Sequence, residues 1–371
     1  WKYSDALQAA DNEKQVKYIV RDIFRLHGLD VTFMAKPMEG VAGSGEHTHL
    51  GLAAKLRDGR VVSMFSSKDG RDFLNVIGYG ALMGILNNYE VINPFISATN
   101  DAFNRLKPGF EAPVCTVTSM GHSVEAPSRN RTVLAGLIRE AGNPLATRFE
   151  LRSPNPNSNT YLVIAASYMA MLDGIRAAVT AGKTPAELEK SISKKKGEED
   201  FYLETGREYR SEKDVFAHYT PEERDDIFGR PPETVWENIT AFDKYPEKLE
   251  IFKSGGVMTD IVLESYREAI VNQWATELYN RIIPNAMDTV RSCRKLHNES
   301  ATDYDIGMWA KISAQRDKIA KNTMNKFCIL KKISDALDKA DYNLASRLQL
   351  EAQREIRKLI DMYSSYKRNL L

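Results

Sequence analysis

The sequence predicts an α+β fold, with a mostly antiparallel sheet backed by helices and a helical hairpin at the C-terminal end. Three patterns indicate this class. Residues 147–152 alternate as a strand does, residues 47–65 read as a strand hairpin, and apolar residues near both ends of the chain recur with helical spacing. Side chains repeat every two residues in a strand and about every 3.6 residues in a helix, which separates the two kinds of element.

The first predicted helix is amphipathic and ends at Gly28, after which residues 31–35 are predicted to form a strand. Its apolar face consists of Val16, Ile19, Val20, Ile23 and Phe24. A second, strongly apolar helix is predicted from residue 159 to about residue 181, where Gly182 stops it. We interpret it as a buried core helix, because its most apolar stretch, residues 161–172, is too short to span a bilayer.

A glycine-containing loop, residues 36–49, leads into the predicted hairpin. Its strands cover residues 47–56 and 61–65 and are joined by a turn at Asp58 and Gly59. His47 and His49 would then share one face of a strand. Neutral imidazole is a common ligand of divalent metals, although many such pairs are ordinary surface residues.

Arg148, Glu150 and Arg152 occupy alternating positions, so a strand would project all three side chains from one face. Two guanidinium groups beside one carboxylate suit a site where phosphate oxygens and a divalent cation are held together. A solvated charge ladder on an edge strand would have the same pattern. Both interpretations remain open on this segment alone.

Two further segments add arginines. A loop at residues 104–113 carries Arg105 and Glu111 between turn-forming proline and glycine residues, and residues 128–132 carry Arg129 and Arg131. The whole chain has a net charge of only +1. Such local concentrations of arginine therefore predict small anionic ligands rather than a general affinity for nucleic acid or other polyanions.

The second half of the chain is predicted to be helical. Residues 183–232 are charged and read as surface loops and short helices, and residues 233–284 return to helices with a turn at residues 254–256. Beyond them, apolar residues at helical spacing predict an antiparallel hairpin with a break near residues 341–343. They are Trp309, Ile312, Ile319, Met324, Phe327, Leu330, Ile333 and Leu337, then Leu344, Leu348, Ala352, Ile356, Leu359 and Tyr363. We expect the hairpin either to pack on its own domain or to form subunit contacts. The predicted domains are residues 1–290 and 291–371.

Composition agrees with a large intracellular domain. The chain has 371 residues, 43% of them hydrophobic, which is enough to form a core. Its three widely spaced cysteines, Cys115, Cys293 and Cys328, argue against a disulfide framework and for a reducing, cytoplasmic compartment. We expect no membrane partner.

Taken in order, four motifs resemble the catalytic domain of glutamine synthetase, most closely the type I form. They are Gly-Ser-Gly-x-His-x-His at residues 43–49, Arg-Leu-x-Pro-Gly-Phe-Glu-Ala-Pro at 105–113, Arg-Asn-Arg-Thr at 129–132, and Arg-x-Glu-x-Arg-x-Pro-Asn at 148–155. The resemblance spans residues 1–284. It implies a curved sheet and the joining of glutamate and ammonia at the expense of ATP, through γ-glutamyl phosphate.

The resemblance also implies roles for individual residues. His47 and Glu150 would bind Mg²⁺ or Mn²⁺, while His49 and Arg148 would bind ATP. Arg131 would stabilise the transferring phosphoryl group, and Glu111 would attract ammonium and take its proton. Glutamate would be bound by Gly43, Arg105 and Arg152.

The sequence departs from the family pattern at several positions. Ala42 stands where the family has asparagine, and an extra segment that includes residues 120–123 precedes Arg131. The arginine expected shortly after Arg131 is matched only by Arg139. Two alternatives therefore stay open: a ligase that joins glutamate to another amine, and a non-catalytic structural relative.

The family's small N-terminal domain and several of its glutamate metal ligands would precede residue 1. We accordingly expect this chain to be the C-terminal part of a longer polypeptide that is active as a homo-oligomer. The isolated chain is expected to be inactive.

Overall fold

The computed structural model describes residues 3–38, 40–68, 70–107, 115–140 and 142–370. The chain divides into two compact units. The first comprises Trp1–Pro232 and Thr240–Ser265, and the second comprises Glu233–Ile239 and Tyr266–Leu371. The proposed domain boundary at residue 290 stays a prediction.

The strands of the first unit form a four-stranded sheet and a separate hairpin, so the α+β class is confirmed. They are β1 (Thr48–Leu50), β2 (Ala53–Lys55), β3 (Val61–Ser63), β4 (Cys115–Ser119), β5 (Val133–Glu140) and β6 (Asn143–Leu151). The sheet order is β1-β6-β5-β4, and its β1–β6 and β6–β5 pairs are antiparallel while β5 and β4 run parallel. The antiparallel β2–β3 hairpin and its turn, where Gly59 has a φ of 87°, are confirmed. The single strand predicted at residues 47–56 is corrected to two, because Thr48–Leu50 pairs with β6 and Ala53–Lys55 pairs with β3.

The helices follow one another along the rest of the described chain. They are α1 (Ala6–Leu26), α2 (Val76–Asn87), α3 (Tyr89–Ile96), α4 (Asn100–Arg105), α5 (Thr160–Thr180), α6 (Pro185–Ile192), α7 (Val215–His218), α8 (Pro221–Phe228), α9 (Val235–Ile239), α10 (Ala241–Lys244), α11 (Pro246–Lys253), α12 (Asp260–Glu277), α13 (Ile283–Ser292), α14 (Asp303–Ala320), α15 (Ile329–Asp338) and α16 (Tyr342–Leu370). Short 3₁₀ and π segments cover Ser254–Gly256 and Leu278–Ile282.

Helix α1 forms as predicted and is followed by Gly28 at a φ of 71°, but the strand predicted at residues 31–35 is wrong. Within the described residues that stretch has no strand assignment, and Ala35 lies in a bend. At its end the Ala35 amide donates to the Asp101 carboxylate, and the Ala35 carbonyl accepts from Ser44 at 2.8 Å. Side-chain and loop groups therefore satisfy a backbone that the sequence pattern assigned to a sheet.

Helices α2 and α5 form the centre of the first unit, in backbone contact through glycines. A Cβ added to Gly174 would lie 2.1 Å from the Gly80 carbonyl oxygen, and one added to Gly84 would lie 2.0 Å from that of Ala170. By length and composition alone the 21-residue α5 could cross a membrane, so the argument that its apolar stretch at residues 161–172 is too short to span a bilayer is wrong. Core helices of soluble proteins pass the same test, and the packing on α2 is that of a core helix.

In the second unit, α14, α15 and α16 pack against one another, so the predicted two-helix hairpin is corrected to three helices. The first arm breaks between Ala320 and Ile329. There Thr323 and Lys326 pair as an isolated bridge, and the Asn322 side chain accepts from the Cys328 amide at 3.0 Å. Met324 and Phe327, assigned to the apolar face, are exposed. The break predicted near residue 341 is confirmed, since the Asp341 side chain caps the next helix by accepting from Leu344 at 3.0 Å.

Candidate functional site

The pairing of β1 with β6 brings the predicted metal ligands together. His49 lies opposite Glu150 in the ladder, and His47 directly precedes β1. The Nδ1 atom of His47 is 2.9 Å from Oε1 of Glu150, which also accepts a hydrogen bond of 3.0 Å from Arg152. Along β6, Arg148 and Glu150 are half-buried while the residues between and beside them are buried. The predicted alternation is thus confirmed for Arg148 and Glu150, whereas Arg152 follows the end of β6 and is buried.

Glu150 is held ionised by its neighbours. The hydrogen bond with His47, together with the charge of Arg152, lowers the pKa of Glu150 to about 2 although burial opposes this. An ionised carboxylate and an imidazole nitrogen at this distance suit a shared divalent cation, whose other positions water and phosphate oxygens can fill. The described residues hold no group of three or more His, Cys, Asp or Glu arranged for a metal, so this pair supplies two ligands.

A cavity of about 630 Å³ opens beside this pair. Its lining includes His47, Glu150, Arg152, Arg129, Asn130 and Arg131. Arg152 is buried, and its Nε donates a 3.0 Å hydrogen bond to the carbonyl of Arg131, in the segment that precedes β5. Four of the predicted site residues therefore meet at one cavity with a carboxylate at its wall.

The predicted ATP ligands form a second pair on the same strands. Arg148 Nε lies 3.1 Å from Nδ1 of His49, and a guanidinium nitrogen of Arg148 donates to the carbonyl of Ala146 at 2.7 Å. Burial, with the charge of Arg148, lowers the pKa of His49 although Glu150 opposes it. A neutral His49 can accept from Arg148. The Arg148 guanidinium also lies 3.7 Å from the Glu140 carboxylate, and this partly exposed ion pair leaves it able to contact an anion as well.

Arg105 lies behind the cavity and is absent from its lining. Its buried guanidinium donates to the carbonyls of Ser153 at 2.9 Å and of Arg152 at 3.0 Å, and burial lowers its pKa to about 10. Gly43 packs against it: an added Cβ would lie 2.5 Å from the Ala35 carbonyl oxygen and 2.9 Å from Cγ of Arg105. In the geometry seen here, Arg105 and Gly43 support the backbone that carries Arg152.

Glu111 lies outside the described residues. On β5, Gly136 pairs with Glu150 and Ile138 pairs with Arg148. Arg139 occupies the alternate position of the strand. It donates to the carbonyl of Val124 at 3.2 Å, so it points away from the metal pair.

Sequence reasoning missed three contributors. Gly45 is one, because a Cβ there would lie 2.6 Å from a guanidinium nitrogen of Arg105 and 2.9 Å from Nε2 of His47. Asn130 and Glu212 are the others, and both line a second cavity of about 520 Å³. The two cavities share residues 128–131. A repeated glycine could have indicated Gly45, whereas nothing in the spacing indicated Glu212.

The comparisons with known proteins point to one family. The profile of the glutamine synthetase catalytic domain matches residues 1–206. A glutamine synthetase from Clostridium saccharobutylicum is 37% identical over 196 residues, which are 52% of this chain and 39% of that protein. One from Frankia alni is 37% identical over 175 residues, 47% of this chain and 34% of that protein. One from Thermotoga maritima is 34% identical over 192 residues, 52% and 40% of the two chains.

Because the profile match covers more than half of the chain, the protein belongs to the glutamine synthetase catalytic-domain family. The chain spans well under half the length of the curated relatives it matches.

Proposed function

We propose that this chain forms the nucleotide- and phosphate-binding part of an ATP-dependent ligase that joins ammonia to glutamate through γ-glutamyl phosphate. The observation that carries the proposal is the geometry at Glu150. This ionised carboxylate lies 2.9 Å from His47 and 3.0 Å from Arg152, at the wall of a cavity also lined by Arg131. Phosphoryl transfer needs just such a combination of metal ligands and fixed cations.

His47 and Glu150 would hold Mg²⁺ or Mn²⁺, which when bound neutralises charge on the ATP phosphates. Arg148 would bind ATP phosphates, with His49 beside it as a neutral contact. Arg131 would donate to the oxygens of the transferring group, where charge spreads in the transition state.

The glutamate side of the reaction involves the remaining predicted residues. Arg152 would bind glutamate while fixing Glu150. Arg105 and Gly43, predicted as glutamate ligands, would act there by holding the residue 152–153 backbone. Glu111 would bind ammonium and accept its proton, since an ionised carboxylate attracts the cation and can serve as its base.

We expect the protein to be cytoplasmic and homo-oligomeric. The test therefore uses the full-length protein that contains this chain, purified as its homo-oligomer. Arg131→Ala should lower kcat by about 100-fold while ATP affinity changes little, because the lost donor acts mainly in the transition state. Arg60→Ala, at the exposed tip of the β2–β3 hairpin, is the control. Equal losses of kcat and of ATP affinity would contradict this role for Arg131. A full-length protein with no ligase turnover would favour the non-catalytic alternative.

A second function, ligation of glutamate to a larger amine, is favoured by the second cavity. Its 520 Å³ adjoin the first cavity through residues 128–131, and ammonia needs no such space. Phosphate release measured with glutamate, ATP and a panel of amines, with ammonium for comparison, separates the two. Faster turnover with a larger amine than with ammonium would identify that amine, and not ammonia, as the acceptor.

A further inference from the structure

The segment that follows the family match lies directly beside the site. The profile match ends at residue 206. Just beyond it, Thr118 of β4 donates to the carbonyl of Tyr209 at 2.8 Å, and Ser211 donates back to the carbonyl of Thr118 at 3.0 Å. Arg210 forms a parallel bridge with Thr118. Residues 209–211 thus extend the sheet at the β4 edge.

Glu212, the next residue, hydrogen-bonds to the turn at the end of β4. Its carboxylate accepts from the Ser119 hydroxyl, from the amides of Met120 and Gly121, each at 3.0 Å, and from Nε of Arg210 at 2.9 Å. Arg210 in turn donates to the carbonyl of Gly121 at 2.8 Å. The carboxylate has every strong acceptor position engaged, so it serves the turn and is not open to a ligand.

The hydrogen bonds continue into the segment that carries the arginines. The hydroxyls of Ser119 and Ser128 are hydrogen-bonded to each other, and the Ser128 hydroxyl accepts from the backbone amide of Asn130 at 3.1 Å. The Asn130 side chain donates to the carbonyls of Lys213 at 2.7 Å and Ser211 at 3.3 Å. One continuous network therefore joins residues 210–213 to residues 119–130.

Arg129 and Arg131 lie on either side of Asn130 and line both cavities. Both arginines are exposed, so their own burial does not fix them. What is fixed is the backbone between them, through Asn130. Cations on a preorganised backbone bind an anion with less loss of conformational freedom than cations on a mobile loop.

We propose that Arg210 and Glu212 are positioning residues that hold residues 119–130 so that Arg129 and Arg131 face the cavities and bind a phosphate group. The proposal rests on the proposed function in taking that group to be the phosphoryl group which the ligase transfers. It assigns to the segment beyond the profile match, which ends at residue 206, a part in building the anion site.

The test measures two properties of the 371-residue chain that do not need turnover. One is the affinity for inorganic phosphate by titration calorimetry, and the other is backbone hydrogen exchange in residues 119–130. The variants are Glu212→Ala, Glu212→Gln and Arg131→Ala. Glu208→Gln is the matched control, because Glu208 lies in the same segment but pairs with Lys195 at 3.0 Å.

For Glu212→Ala we expect phosphate binding about tenfold weaker, the factor that follows from losing charge-assisted hydrogen bonds, together with faster exchange. Glu212→Gln should be intermediate and carries the test if the alanine variant does not fold. Arg131→Ala should weaken phosphate binding with unchanged exchange, and the control should change neither.

A Glu212 variant that matches the control in either property overturns the proposal. Wild-type phosphate affinity in Arg131→Ala would instead overturn the proposed function, whatever the exchange shows.

Discussion

Glu150 illustrates what single residues contribute to this site. Its Oε1 contacts His47 and Arg152, and these two partners explain why its pKa falls to about 2. The sequence predicted that Arg148, Glu150 and Arg152 share a face, because a strand has a fixed period. It could not predict that Arg152 would pair with Glu150 and with the Arg131 carbonyl. Those contacts depend on rotamers and on the register of β5 against β6.

Glu212 gives a residue-scale prediction for pH. Burial raises its pKa, but hydrogen bonds from Ser119, Met120, Arg210 and Gly121 outweigh it, so the pKa lies below the usual 4.5. A carboxyl group of this kind stabilises the fold at a pH above the pKa that it has in the unfolded chain. This stabilisation is lost as the pH falls through the lower pKa that it has in the folded protein. Glu212→Gln should therefore cost about 1–3 kcal/mol near neutral pH and less in acid. Urea unfolding of both proteins across pH measures it, and a pH-independent difference would contradict the ionised network.

At the scale of elements, the prediction succeeded where turn chemistry and periodicity are local. The β2–β3 hairpin with Gly59 in its turn, and α1 ending before Gly28, formed as expected. The predicted face of α1 is largely exposed, with Ile19 at 54% and Ile23 at 49%. Periodicity identifies an apolar face but not what covers it. The break between α14 and α15 was missed because apolar residues continue through it at nearly helical spacing.

The contact between α2 and α5 yields an element-scale prediction. Gly174→Ala would place a Cβ 2.1 Å from the Gly80 carbonyl oxygen and 2.5 Å from the Gly84 amide nitrogen, so the helices must separate. We expect a loss of about 1–3 kcal/mol in the free energy of unfolding, or more, as for other overpacked cores. Gly206→Ala is the control, since nothing lies within 4 Å of its added Cβ. Equal stability of the two variants, measured by denaturant unfolding, would argue against this close packing.

At the scale of the whole molecule, we propose that ligands beyond the His47–Glu150 pair complete the metal site. The chain covers 39% of the Clostridium relative, and within the described residues His47 and Glu150 are the candidate metal ligands that meet. Missing charge neutralisation around a transferred phosphoryl group costs several kcal/mol of barrier, which is orders of magnitude in rate.

We therefore predict that the 371-residue chain alone forms glutamine at a negligible rate, while the protein that contains it is active. Glutamine formation by both proteins, with their masses in solution, measures this. Robust turnover by the chain alone would show that it holds a complete site.

We propose that Glu150 and His47 hold a divalent cation at an arginine-lined phosphate site. The most direct measurement is Mn²⁺ binding by this chain in the presence of ATP, followed by electron paramagnetic resonance, for the wild type, Glu150→Gln and the control Glu208→Gln. We predict that Glu150→Gln weakens Mn²⁺ binding by about tenfold or more, since an ionised ligand is lost, while the control binds as the wild type does. Unchanged Mn²⁺ affinity in Glu150→Gln would contradict it.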